Sequence, residues 1–278
     1  MIGAIAGDII GSRYEFNNIS NDDFPLFERK STFTDDSVLT IATADVILDN
    51  ARYSDYYYDY ATSFPNRGYG GRFGQMLRQG SLQPYNSYGN GSAMRVSPIG
   101  WMYGVYGKYE EGNYQRTLDE AKRSAECTHD HPEGIKGAQA VAASIFIARL
   151  GGTKADIRQA VEQMGYDVSK RSSELGRTFD ETCQGTIPKC MAIFFETNDY
   201  ESAIRKSIAM GGDVDTIACI VGGISQAHYG MPSREIVEEV YKRLPAHLAK
   251  ITTKFTQKYI DPDFIEPKEI GTDGASNL

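Results

Sequence analysis

The sequence predicts an all-α protein, and three observations carry that prediction. Apolar residues recur at helical spacing in several stretches, period-2 alternation is absent over any useful length, and glycines fall where the helical stretches stop. Val38, Leu39, Ala42 and Val46 form one stripe; Val141, Ile145 and Ala148 form another, which stops at Gly151-Gly152. Ile157, Val161 and Met164 form a third, stopping at Gly165. Ile217, Ile220, Val221 and Ile224 lie in a more fully apolar segment after Gly211-Gly212, as a central helix does, and Ile236, Val237, Val240 and Leu244 form a last stripe. Residues 50–100, rich in Tyr, Gly, Asn and Ser, read as irregular and long enough to carry a binding surface on loops. The tail from about Asp261 has no periodicity, so residues 1–260 read as the domain and 261–278 as a loosely held extension. No internal repeat is present, which excludes a solenoid.

A chain of 278 residues is long enough to bury a sizeable core. Charged residues make up 24%, an ordinary globular share that excludes global disorder. With 37 acidic against 29 basic residues the net charge is −8, which argues against binding to nucleic acid or anionic membranes. No apolar run reaches the roughly 18 residues of a membrane span. Met1 to Gly11 is apolar but lacks a basic start and is broken by Asp8, so it does not read as a signal peptide. A cytoplasmic monomer is expected. Cys127, Cys183, Cys190 and Cys219 form no C-x-x-C pair and no zinc spacing, and read as reduced, mostly buried thiols.

Two acidic helix starts hold the chemistry. Thr34-Asp35-Asp36-Ser37 precedes the Val38 stripe, and Gly212-Asp213-Val214-Asp215-Thr216 precedes the Ile217 segment. Such residues cap helices well, so capping is one reading. A cap needs one carboxylate, however, and each start spends two. If the two starts meet, charges about 4 Å apart repel by roughly 4 kcal/mol at an effective dielectric near 20. A helix terminus returns only about 0.3–1 kcal/mol per charge. Hard divalent cations with oxygen ligands would hold such a cluster, and carboxylates with threonine hydroxyls suit Mg²⁺ or Mn²⁺.

Gly7-Asp8, Glu15-Phe16, T-D-D-S, Arg67-Gly68-Tyr69-Gly70, Ser87-Tyr88-Gly89-Asn90-Gly91-Ser92-Ala93-Met94-Arg95-Val96, Thr128-His129 and G-D-V-D-T follow one another in order. Taken together over about residues 1–245, they resemble the ADP-ribosylglycohydrolase family, which includes the dinitrogenase-reductase-activating glycohydrolases and ADP-ribosyl-acceptor hydrolases. The resemblance implies an orthogonal multi-helix bundle with a dinuclear metal site between helices. It implies two divalent cations, Mg²⁺ or Mn²⁺, among Thr34, Asp35, Asp36, Asp213, Asp215 and Thr216, with Glu15 at the rim. Glu15, Asp35 and Asp36 become the candidate catalytic residues.

Arg67-Gly68-Tyr69-Gly70-Gly71 and Gly89-Asn90-Gly91-Ser92 offer backbone N–H groups at glycines that carry no β-carbon, which suits a diphosphate, and Ser87 joins them by resemblance; ordinary turn glycines are the plainer alternative. Arg72 stands where family members often have a further glycine, a departure within the phosphate-binding stretch. Tyr88 could lie flat on adenine or ribose, although a chain with 18 tyrosines has structural ones too. His129 and His131, at i and i+2 before Pro132, do not have a helical metal-ligand spacing. By resemblance His129, with Met94 and Arg95, lies against bound substrate; His131 has no assigned role. The implied activity is hydrolysis at the anomeric carbon of the distal ribose in an ADP-ribosylated protein or another ADP-ribose conjugate. The alternative is a non-catalytic ADP-ribose-binding module, and the presence of every expected carboxylate argues for the enzyme.

Overall fold

In the computed structural model, which describes residues 1–104 and 108–267, the helices run in chain order as follows. The first half holds α1 (Ile2–Gly11), α2 (Asp35–Asp49), α3 (Tyr53–Ser63), α4 (Gly71–Gln79), α5 (Gly91–Met94), α6 (Ser97–Met102) and α7 (Asn113–Glu126). The second holds α8 (Pro132–Arg149), α9 (Lys154–Gln163), α10 (Cys183–Glu196), α11 (Tyr200–Met210), α12 (Val214–Tyr229), α13 (Arg234–Arg243) and α14 (Ala246–Tyr259). No strand forms among the described residues. The all-α expectation holds.

The apolar start of the chain is itself a helix, α1, with every residue buried. Its glycines Gly3, Gly7 and Gly11 stand one turn apart and face α12. A Cβ on Gly7 would lie 2.0 Å from the carbonyl oxygen of Ala218, and one on Gly222 would lie 2.2 Å from that of Gly3. The two backbones therefore touch, and only glycine permits that approach. This seam carries Asp8 and Asp215 into the same small volume.

Helix α2 is buried almost all round, from Asp36 to Ile47, and α8 nearly so. Their sequence stripes thus mark only part of a wholly enclosed surface. The buried Thr43 hydroxyl is satisfied by Leu39 O at 2.9 Å. Helix ends fall at the expected glycines, with left-handed φ values at Gly151, Gly165, Gly211 and Gly212.

The expectation of an irregular stretch over 50–100 is corrected, since α3, α4, α5 and α6 lie there. In α3 the buried residues are Tyr53, Tyr57, Tyr60 and Ala61, a helical stripe built from tyrosine. Their hydroxyls reach Glu120 at 2.5 Å, Thr43 at 2.9 Å and Asp45 at 2.6 Å. An aromatic body with a satisfied polar tip packs as core while reading as polar.

Residues 261–267 fold back on α14: Gln257 Nε2 donates to Phe264 O at 3.0 Å and Thr253 Oγ1 to Glu266 Oε2 at 2.8 Å. The rest of the expected extension, 268–278, lies outside the described residues. No described helix is long and apolar enough to cross a membrane. All four cysteines are free thiols, three of them buried.

Candidate metal centre and its cavity

The N-termini of α2 and α12 meet beside α1, and capping occupies few of their acids. At α2, Thr34 is the N-cap and its Oγ1 accepts from Asp36 N at 3.3 Å. Thr34 N and Ser37 N donate to the carboxylate of Asp8, at 2.9 and 3.0 Å. At α12, Asp213 occupies the N-cap position without a capping hydrogen bond; its Oδ2 accepts from Asn90 Nδ2 at 2.7 Å instead. Capping thus explains Thr34 and Asp8. It does not explain Asp35, Asp36 or Asp213.

Two carboxylate triplets result, each with ligand atoms within 4.8 Å of one another: Asp8, Asp36 and Asp215, and Glu15, Asp213 and Asp215. Asp215 belongs to both. Asp36 Oδ1 is buried and has no hydrogen-bond partner among the described residues, while its Oδ2 accepts from Thr216 Oγ1 at 3.2 Å. An uncompensated buried carboxylate oxygen is costly, and the hard oxygen donors around it fit Mg²⁺ or Mn²⁺. Asp35 joins neither triplet; it stands on the adjoining wall, its N–H bonded to Arg67 O at 2.8 Å. Burial, then repulsion from Asp8 at Asp36 and from Asp36 at Asp215, lifts both carboxyls well above their ordinary range. Burial and the neighbouring Asp8 charge do the same to Asp35. Glu15, half-buried, is pushed up to about 7 by burial and the Asp213 charge.

These acids form one end of a cavity of about 490 Å³. Gly68, Gly70, Ser87, Gly89, Asn90, Gly91, Met94, Arg95 and His129 line it, with Thr34 and Thr216. Arg67, Arg72 and Arg95 also line it, with Arg67 beside the start of α2. Arg95 is fully buried over the Tyr57 ring, 4.1 Å from its centroid. It donates to Ser124 O and to Thr128 Oγ1, both at 2.9 Å, and its Nε and Nη1 have no partner among the described residues. Thr128 Oγ1 lies 2.7 Å from His129 Nδ1. A guanidinium only donates, so the Thr128 proton is free to go to Nδ1, which leaves the ring proton on Nε2. Burial and the Arg95 charge hold His129 neutral. A Cβ on Gly91 would sit 3.1 Å from that Nε2, so a larger residue would crowd the ring.

A family model described as ADP-ribosylglycohydrolase matches residues 1–261. The chain belongs to the ADP-ribosylglycohydrolase family. It is 24% identical to the mouse protein named ADP-ribosylhydrolase ARH3 over 83% of both chains. It is 25% identical to the human protein of that name, over 83% of this chain and 84% of that one. An uncharacterized protein of Archaeoglobus fulgidus is 29% identical over 184 residues; the match spans 55% of this chain and 57% of that protein. A solved structure titled ADP-ribosylglycohydrolase-related protein complex shares the fold, with a TM-score of 0.65 and 21% identity over 94% of this chain and 96% of that one.

Two residues singled out from the glycohydrolase motifs lie off the cavity wall. The Tyr69 hydroxyl donates to Phe64 O at 2.9 Å and its ring stacks on Phe73, so it faces the interior. Tyr88 points outward, 48% exposed, edge-on to His131 with centroids 5.2 Å apart. His131 caps α8 by accepting from Glu133 N at 3.1 Å. Asp8 carried no site assignment in the sequence, although a lone acid inside an apolar run was a signal for it. Phe16, Phe179, Glu181 and Tyr85 also line the cavity. They come from three loops far apart in the chain, and of the four only Phe16 stood in a sequence motif.

Proposed function

We propose that this glycohydrolase-family protein is a metal-dependent hydrolase. It removes ADP-ribose from a modified protein side chain or a related conjugate by cleaving the bond at the anomeric carbon of the distal ribose. One observation carries the reading: two carboxylate triplets sharing Asp215 stand against a cavity that Arg67, Arg72 and Arg95 also line. Carboxylates for cations that hold a ribose diol, and arginines for a diphosphate, are the two chemistries that such a ligand needs.

Asp8, Asp36, Asp213, Asp215 and Glu15, with the Thr34 and Thr216 hydroxyls nearby, are the residues to hold two cations, Mg²⁺ or Mn²⁺. When bound, these would polarise the ribose hydroxyls and a water molecule and offset charge at the reacting carbon. Asp35, on the wall beside them, orients the ribose or the attacking water. Glu15, half-buried and carried on a loop, is the candidate acid or base. Gly68, Gly70, Gly89 and Gly91 admit the diphosphate to backbone N–H groups. His129 donates from Nε2, and the buried Arg95 positions it through Thr128 while supplying positive potential. Tyr85 offers a ring face inside the cavity, and the exposed Tyr88, outside its wall, offers one to the part of the ligand that projects from it.

The test is release of free ADP-ribose from a panel of defined ADP-ribosylated peptides and small conjugates. Exhaustive chelation should abolish release, and Mg²⁺ or Mn²⁺ should restore it. Full activity in chelator, with no metal by elemental analysis, removes the proposal. Tight ADP-ribose binding without release from any conjugate would favour the non-catalytic module.

A further inference from the structure

The two triplets are supported in different ways. Asp8 lies within α1, and Asp36 and Asp215 lie in the first turns of α2 and α12, so that triplet is borne by packed helices. Glu15 lies on the loop between α1 and α2, and Asp213 on the turn before α12. One side chain joins those two segments. Asn18 Nδ2 donates to Tyr14 O at 2.8 Å, to Glu15 O at 2.9 Å and to Gly212 O at 3.1 Å. Gly212 N donates back to Asn18 Oδ1 at 2.6 Å. A planar amide thus pairs with both backbone groups of Gly212, the residue immediately before Asp213, and the same NH₂ group holds the carbonyl of Glu15. Arg177 braces the same loop, donating to Ile19 O at 2.7 Å and to Ala209 O at the end of α11. Phe16 and Phe179 add a ring contact, with centroids 6.4 Å apart.

We infer that Asn18 is a positioning residue that assembles the Glu15–Asp213–Asp215 cation position, and that this position can be lost while the Asp8–Asp36–Asp215 position is kept. The inference rests on the two-cation reading above. Asn18 is exposed and contributes no core packing, so its amide acts on local geometry rather than on the fold. Neither Asp8 nor Asp36 receives a bond from this loop side chain.

The experiment is Mn²⁺ titration of the chelator-stripped full chain, following free Mn²⁺ by its electron paramagnetic resonance, with melting curves alongside. Wild type should take two ions. Asn18→Ala should bind one within about threefold of the wild-type affinity and the other at least tenfold more weakly, with its metal-free melting temperature little changed. Arg177→Gln, which removes the second brace, should weaken the same ion to a smaller degree and carries the test if Asn18→Ala does not fold. Two ions at wild-type affinities, or equal weakening of both, in a folded variant overturns the inference. Fewer than two ions on wild type overturns the two-cation reading itself.

Discussion

The helix-borne and loop-borne halves of the centre contrast in how their charges are kept close. In the first half, α1 and α12 touch backbone to backbone through Gly7 and Gly222, and Asp8, with no exposed surface, is held by Thr34 and Ser37. In the second, Glu15 is half-exposed and an amide clasp on a loop supplies the geometry. A rigid half suits permanent ligation, and a half that can open suits a residue that must also move a proton or admit substrate. Asp215 serves both, so the largest effect is expected there. Asp215→Asn replaces an anionic ligand by a weaker amide oxygen, and hydrolysis and Mn²⁺ affinity should fall by orders of magnitude. The metal-free melting temperature should equal or exceed that of wild type, because one member of a repelling cluster is gone. Near-normal turnover with the usual metal-dependent rise in melting temperature would remove Asp215 from the centre.

Glu15→Gln and Asp8→Asn should separate the halves. Glu15→Gln should cost little stability and lower kcat by about 10²–10⁴-fold, the usual worth of a positioned acid or base. Asp8→Asn should lower metal-free stability by about 1–3 kcal/mol, since an amide turned on Thr34 and Ser37 leaves a buried donor unpaired. Asp36→Asn should have the opposite sign, because Asp36 Oδ1 has charge to lose and no hydrogen bond to forfeit. Chelated urea melts measure all three. Equal signs for Asp8→Asn and Asp36→Asn would mean that the two aspartates do the same job.

How much of this was legible in the sequence follows from how local each feature is. The T-D-D-S and G-D-V-D-T starts declare themselves because cap chemistry and doubled acids sit within five residues. The helical runs of α9 and α13 were legible for the same reason. Helix α3 was not, because its stripe is written in tyrosine and counts as polar. Asn18 was illegible in principle, since it acts on Gly212, 194 positions away. Glu15 came from family resemblance alone, as a loop acid has no pattern of its own.

A smaller effect is expected from pH. In the metal-free protein the carboxyls of Asp35, Asp36 and Asp215 are raised well above their ordinary range, and Glu15 to about 7. Between about pH 4 and those raised values the folded chain binds more protons than the unfolded one, so stability falls as pH rises. The buried Met1 amino group, lowered to about 4, and His129 and His228, both lowered, run the other way. They are outnumbered by the raised carboxyls once Asp8, Asp45 and Asp213 join the four above. Chelated protein should therefore melt higher at pH 5.5 than at pH 8. Saturating Mn²⁺ should reverse that order, because ligation requires the ionised carboxylates. The same order in both conditions would mean that the cluster is not what the cation neutralises.

The smallest pair of effects concerns two tyrosines that look alike in the sequence. Tyr69 belongs to the packed interior, with its hydroxyl on Phe64 O, whereas Tyr88 stands at the exposed rim. Tyr69→Phe removes one hydrogen bond and leaves the ring stacked on Phe73. It should lower stability by about 0.5–1.5 kcal/mol and leave ADP-ribose affinity unchanged. Tyr88→Ala removes a mostly solvated ring that packs edge-on to His131 and supports nothing deeper. It should leave the melting temperature near wild type and weaken ADP-ribose binding by about 1–3 kcal/mol, the usual worth of a stacking aromatic. Calorimetric titration with ADP-ribose and a melting curve on each variant decide the matter. Unchanged affinity and lowered stability in Tyr88→Ala would place that ring with Tyr69, as a structural residue, and move the base end of the site to Tyr85, whose ring already lies inside the cavity beside His129.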